Sequence, residues 1–173
     1  MRALALLSLT LWLSACATAP AGNGSTAGSS SNTATATQTQ SFIAAMEAKR
    51  GSALTLAERL QVQGLTGTAK VGLNNTQNNF LNKIGAQVGL DGAVIAALFP
   101  EAGKPLSETA VVAKIESRLG KKLAAADQAA VKTATALRNN SLVSLKTGLA
   151  ASIGSRIGLS TEVVLALMPM LGL

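Results

Sequence analysis

From residue 41 to the C-terminus, apolar residues recur at spacings of three and four, the signature of helices with one buried face. Phe42, Ile43 and Met46 form the first such face, and Gly51 is placed to end that helix. Val111, Val112, Ile115 and Leu119 form another, with Ser107 at its N-cap and Gly120 at its stop. Thr55-Leu56-Ala57-Glu58 has the form of a capping box. The Ala-rich run from Lys122 to Arg138 is nearly free of breakers, which predicts the longest helix of the chain there. Two closing helices are expected from Asp91 to Pro100 and from Ser160–Thr161 to Pro169, because proline makes continuation costly. Alternating or aromatic-rich segments are nearly absent, so the fold class expected is all-α, one compact helical domain.

The pattern also repeats. Ile84-Gly85-Ala86-Gln87-Val88-Gly89-Leu90 returns 69 residues later as Ile153-Gly154-Ser155-Arg156-Ile157-Gly158-Leu159. The same offset relates Val94 to Val163, Leu98 to Leu167, Pro100 to Pro169, Glu47 to Glu116, Gly51 to Gly120, Leu54 to Leu123 and Glu58 to Asp127. One offset held by two separated blocks predicts two tandem similar units of three or four helices, about 41–100 and 110–169. Between the blocks, Asn74-Asn75-Thr76 most resembles Asn139-Asn140-Ser141, which predicts a slip in register.

Before residue 41 the pattern changes. Arg2 precedes an apolar stretch, Ala3 to Leu13, that is too short for a membrane span of ~20 residues. Leu13-Ser14-Ala15-Cys16 follows, and Cys16 is the one cysteine of the chain. This segment resembles the signal peptide and lipobox of bacterial lipoproteins. The resemblance implies cleavage before Cys16, which would then carry a diacylglyceryl group and an N-acyl chain, enough for stable anchoring. Ala17, where aspartate would favour inner-membrane retention, implies the outer membrane. From Ala17 to Gln40 the chain has no charge and no large apolar side chain, so it is expected to be a disordered tether. The expected organisation is therefore a signal peptide at 1–15, lipidated Cys16 and tether at 16–40, and a helical domain at 41–173.

Charge and candidate chemistry narrow the function. Residues 41–173 hold 14 Lys and Arg against 8 Asp and Glu, a net charge of +6. An exported basic domain meets anionic envelope material rather than nucleic acid, and the densest cations, Lys49-Arg50 and Lys121-Lys122, are the candidate contacts for an anionic ligand. The chain has no histidine and no tyrosine, and its sole cysteine is the one expected to be lipidated. No metal, cofactor or nucleophile is implied beyond that lipid. Paired carboxylates could serve a glycan-cleaving enzyme if Glu47/Glu116 and Glu58/Asp127 converged across a cleft. The C-terminal Met170, Leu171 and Leu173 follow an uncharged stretch and are candidates for docking a partner.

These observations favour a non-catalytic envelope lipoprotein that binds a partner protein as an accessory or adaptor. The alternative is a binder of an anionic lipid or glycan; a carboxylate glycosidase is more distant. Cys16→Ser is expected to abolish membrane fractionation while leaving the helical circular dichroism unchanged, and a mutant still bound to membranes would refute the anchor.

Overall fold

Six α-helices and a terminal 3-10 turn build the described part of the chain: α1 (Ser29–Arg50), α2 (Leu56–Val88), α3 (Gly92–Leu98), α4 (Glu108–Leu119), α5 (Ala125–Ile157), α6 (Thr161–Leu167) and the 3-10 turn Met168–Leu171. The computed structural model describes residues 29–173, with side chains from residue 36 onward. The export segment, Cys16 and residues 16–28 of the expected tether lie outside the described residues. Among the described residues there is no strand, and no single helix is long and apolar enough to cross a membrane.

The ends of the helices follow local chemistry. Thr55 caps α2 in a capping box, its hydroxyl accepting from the Glu58 amide while the Glu58 carboxylate accepts from the Thr55 amide. The Asp91 carboxylate caps α3, and the Ser107 and Ser160 hydroxyls cap α4 and α6. Gly89, Gly120 and Gly158 end α2, α4 and α5 in the left-handed conformation, where a Cβ would be strained. Ala124 stands at the start of α5 without a side-chain cap.

Three expectations change. α1 begins at Ser29, so residues 29–40 of the expected tether are helical; Gln38 accepts from Lys70 Nζ on α2 at 3.4 Å and Thr39 is buried. Tertiary contact decides that segment, whose composition is too polar to fold alone. Lys122 lies in a loop, whereas α5 starts at Ala125 and continues through Asn139-Asn140 and Gly148 to Ile157. α2 equals it at 33 residues, a length of ~50 Å at 1.5 Å per residue.

α2 and α5 pack antiparallel. Gln87 near the end of α2 donates to Asp127 at the start of α5 at 2.7 Å. Two hydrophobic cores form, one toward each end of this pair. The first joins Phe42 and Met46 of α1 and Val62 of α2 to Ile153 of α5, Val164 of α6 and Met168. The second joins Phe80 and Ile84 of α2, Ile95 of α3 and Ile115 of α4 to Val131 of α5. Each core draws on both halves of the chain, so neither series of three helices closes a core by itself. The buried positions Val62, Thr66, Leu73 and Ile84 of α2 correspond at a constant 69 residues to Val131, Thr135, Leu142 and Ile153 of α5. The expected slip in register is therefore absent from the burial pattern.

The recurring Ile-Gly-x-x-x-Gly-Leu segment is a helix-ending turn. Leu90 N donates to Gly85 O, and Leu159 N donates to Gly154 O, each at 3.1 Å. A Cβ on Gly85 would lie 2.9 Å from Leu90 O, and one on Gly154 only 2.5 Å from Leu159 O. Gly154→Ala should therefore destabilise the protein by ~1–3 kcal/mol through overpacking against backbone. Gly64→Ala, where the added Cβ meets nothing, should stabilise it by ~0.5–1 kcal/mol. Urea midpoints of the two variants will separate these effects, and equal shifts would refute the close approach.

Candidate functional site

The repeated carboxylates hold loops. Glu47 accepts the Leu54 amide at 2.8 Å and both Nε and Nη2 of Arg59, closing the α1–α2 loop. Glu116 does the same for the α4–α5 loop: it accepts the Leu123 amide at 3.1 Å, Lys122 Nζ at 2.7 Å and Gln128 Nε2 at 3.1 Å. Each carboxylate thus reaches the amide seven residues ahead, at opposite ends of the α2–α5 pair. Glu58 belongs to the cap of α2 and to Arg50, and Asp127 to Gln87. The pairs Glu47/Glu116 and Glu58/Asp127 do not converge, which removes the acid–base arrangement a glycosidase would need from them. Among the described residues no three of His, Cys, Asp and Glu come together as a metal site.

The segment between α3 and α4 has no regular structure, so its backbone needs partners from elsewhere. Arg138, 3% exposed on α5, supplies most of them. Its Nη2 donates to Glu101 O at 3.0 Å and Ala102 O at 2.8 Å, its Nη1 to Lys104 O at 2.9 Å and Asn139 Oδ1 at 3.3 Å, and its Nε to Gln77 Oε1 at 2.7 Å. Gln77 in turn donates to Phe99 O, Lys146 to Gly103 O, and Asn139 pairs with both backbone groups of Leu106. The guanidinium also lies 5.3 Å from the Phe80 ring centre. Burial pushes the pKa of Arg138 down, and burial together with Arg138 pushes that of Lys146 down. Every N–H of Arg138 is engaged within the protein, which makes it a clamp on this segment rather than a ligand contact. The adjoining groove, lined by Thr76, Asn79, Phe80 and Lys83 of α2 and Leu137 and Ser141 of α5, has a volume of about 220 Å³. That is below the 300–1,000 Å³ of ordinary small-molecule sites and fits a single side chain.

The candidate cations and the C-terminal residues separate in space. Lys49 and Arg50 end α1 at one end of the long pair, whereas Lys121 and Lys122 lie in the α4–α5 loop at the other. Arg50 pairs with Glu58 at 2.9 Å and the exposed Lys122 with Glu116, whereas Lys49 and Lys121 are exposed with no carboxylate partner among the described residues. Leu171 and Leu173 are buried in the first core, so they are not available for docking; Met170 alone is exposed. The reason is close packing between the C-terminus and the α3–α4 segment, where a Cβ on Gly103 would collide with Gly172 O.

An exposed apolar row was not anticipated from the sequence. Leu56, Leu60 and Val71 on α2 are 73%, 57% and 60% exposed, and Gly64 and Gly67 lie between them on the same face. Their spacing of four, four, three and four residues is helical and was there to be read. It was hidden because α2 carries apolar residues on several faces, and only packing tells which face is covered. No family model, no curated protein and no solved structure matches this chain.

The loop carboxylates set the response to acid. The Leu54 amide and Arg59 hold the Glu47 carboxyl below its ordinary value, the Thr55 amide and hydroxyl and Arg50 hold down Glu58, and Lys122 and the Leu123 amide hold down Glu116. With folded values below unfolded ones, their contribution is complete above the unfolded carboxylate value and is lost as pH falls through the folded values. Stability should therefore be flat near neutrality and decline in acid from about pH 5 downward. Glu116→Gln should be less stable at neutral pH and show a shallower decline; urea midpoints across this range would refute the assignment if the slope were unchanged.

Proposed function

We propose that this chain is a non-catalytic lipoprotein, anchored through lipid on Cys16 at the outer membrane, whose helical body binds another envelope protein as an accessory or adaptor. The observation that supports this reading is the exposed row Leu56, Leu60 and Val71 along one face of α2. Burying such side chains contributes ~1.5–3 kcal/mol each, so three of them make a worthwhile contact. Gly64 and Gly67 between them would let a partner backbone approach closely, since a Cβ at either position meets nothing in this chain. The carboxylates serve loops and caps, so no acid–base pair argues for catalysis.

We further infer that the helical body is a tandem duplication, α1–α2–α3 and α4–α5–α6. The first and last residues of α2 and α3 each lie 69 residues before those of α5 and α6. The loop clamps Glu47–Leu54 and Glu116–Leu123, and the turns at Gly85 and Gly154, keep the same offset. In this reading the two units are interlocked, since each core takes helices from both.

Photo-crosslinking in cells tests the docking face. A crosslinker at Leu60 or Val71 should give one dominant protein adduct, and one at Thr133, the position on α5 that corresponds to Gly64, should not. Leu60→Asp should remove the adduct from the Val71 probe without changing the circular dichroism. Equal labelling from Thr133, or no protein adduct from either α2 position, would refute the reading.

A further inference from the structure

We propose that the groove between α3 and α4 binds the phosphate headgroup of an anionic phospholipid. Ala97 and Leu98 of α3 and Ala113, Lys114, Ser117 and Arg118 of α4 line a shallow groove of about 690 Å³, which continues onto Ala93 and Val94. Lys114 and Arg118 stand four residues apart on one face of α4, and Lys121, in the loop just beyond Gly120, lines the adjoining hollow with Ala113 and Ser117. Lys114 is held at the apolar wall, its Nζ 5.5 Å from the Phe99 ring centre and donating to Leu98 O at 3.3 Å. Among the described residues, Arg118 and Lys121 have no carboxylate partner. Glu116, the acid nearest to them in the chain, is taken by Lys122, Gln128 and the Leu123 amide.

The other half of the chain provides an internal comparison. At the positions 69 residues before Lys114, Ser117, Arg118 and Lys121 stand Ala45, Ala48, Lys49 and Ser52. Facing them, Ala93 is replaced by Glu162 while Val94, Ala97 and Leu98 remain Val163, Ala166 and Leu167. The same fold thus keeps the apolar wall at both places, but three cations stand at one and a single cation, Lys49, opposite Glu162 at the other. An apolar floor beside three cations complements a molecule with a phosphate at one end and hydrocarbon next to it. A free phosphate would leave the wall uncovered. Position favours the same ligand, and this point rests on the lipid-anchor reading: the chain from Cys16 to Ser29 can extend at most about 45 Å. An anchored body therefore stays within about 45 Å of the membrane surface and meets headgroups at high local concentration.

The test uses the full-length protein in non-ionic detergent, titrated calorimetrically with dihexanoyl phosphatidylglycerol, dihexanoyl phosphatidylcholine and inorganic phosphate. Saturable binding is expected for phosphatidylglycerol, with the other two at least about tenfold weaker. The double variant Lys114→Gln/Arg118→Gln should lose about tenfold or more. Lys49→Gln, at the corresponding place in the other half, should change binding by less than about twofold. Ser117→Glu, which places a negative charge in the groove, should abolish binding while the melting temperature stays near that of the wild type. Absence of phosphatidylglycerol binding, equal binding of inorganic phosphate or phosphatidylcholine, or equal loss in Lys49→Gln would overturn the proposal. None of these outcomes bears on the α2 docking face, which is read by protein crosslinks alone.

Discussion

The antiparallel packing of α2 on α5 is the constraint on which the remaining structure depends. Each helix has 33 residues, whereas α4 has 12 and α3 and α6 have 7 each. A ~50 Å pair cannot be covered by one such helix, so the flanking elements divide between its two ends and create two cores. Continuity across the middle falls to Leu73 and Leu142, buried from either side, and to Gly72, where a Cβ would lie 3.0 Å from Leu145. Because the pair is antiparallel, α1 meets α6 at one end and α3 meets α4 at the other. The interlocking of the two halves is a consequence of that geometry.

The α3–α4 segment is the price of joining those halves. It crosses the middle of the molecule without regular structure, and its carbonyls from Phe99 to Leu106 would be costly to bury unpaired, at ~1–3 kcal/mol each. Gln77, Arg138, Asn139 and Lys146 meet that need. Arginine suits the central place because its five N–H groups form a fixed fork, whereas lysine would offer three donors from one atom. Among the described residues the buried cation has no carboxylate paired with it, and hydrogen bonds to carbonyl dipoles take that role. The surface is thereby left for other tasks: an apolar face on α2 and a basic groove on α4, at sites where the fold asks for neither.

Several local features were legible because they depend on residues within a turn or two. The caps at Thr55, Asp91, Ser107 and Ser160, the stops at Gly51 and Gly120, and the helix ends before Pro100 and Pro169 all follow from such short-range chemistry. Lys121 and Lys122 were recognisable as a dense basic spot, but the apolar wall that Ala97 and Leu98 set beside Lys114 and Arg118 was not, since it needs α3 laid against α4. The acceptance of the Leu54 and Leu123 amides by Glu47 and Glu116 was likewise hidden, although the offset that relates the two acids was visible.

The sequence by itself determined the helical class and the caps and stops at Thr55, Ser107, Gly51 and Gly120, because periodicity and capping are written in neighbouring residues. Only the tertiary structure decided which faces are covered. It buried Leu171 and Leu173 and exposed Leu56, Leu60 and Val71, all of them equally apolar on paper. It carried α1 back to Ser29 through a polar segment and α5 on through Asn139-Asn140. In each case the deciding contact comes from residues distant in the chain, and burial is a property of the pair of surfaces rather than of either one.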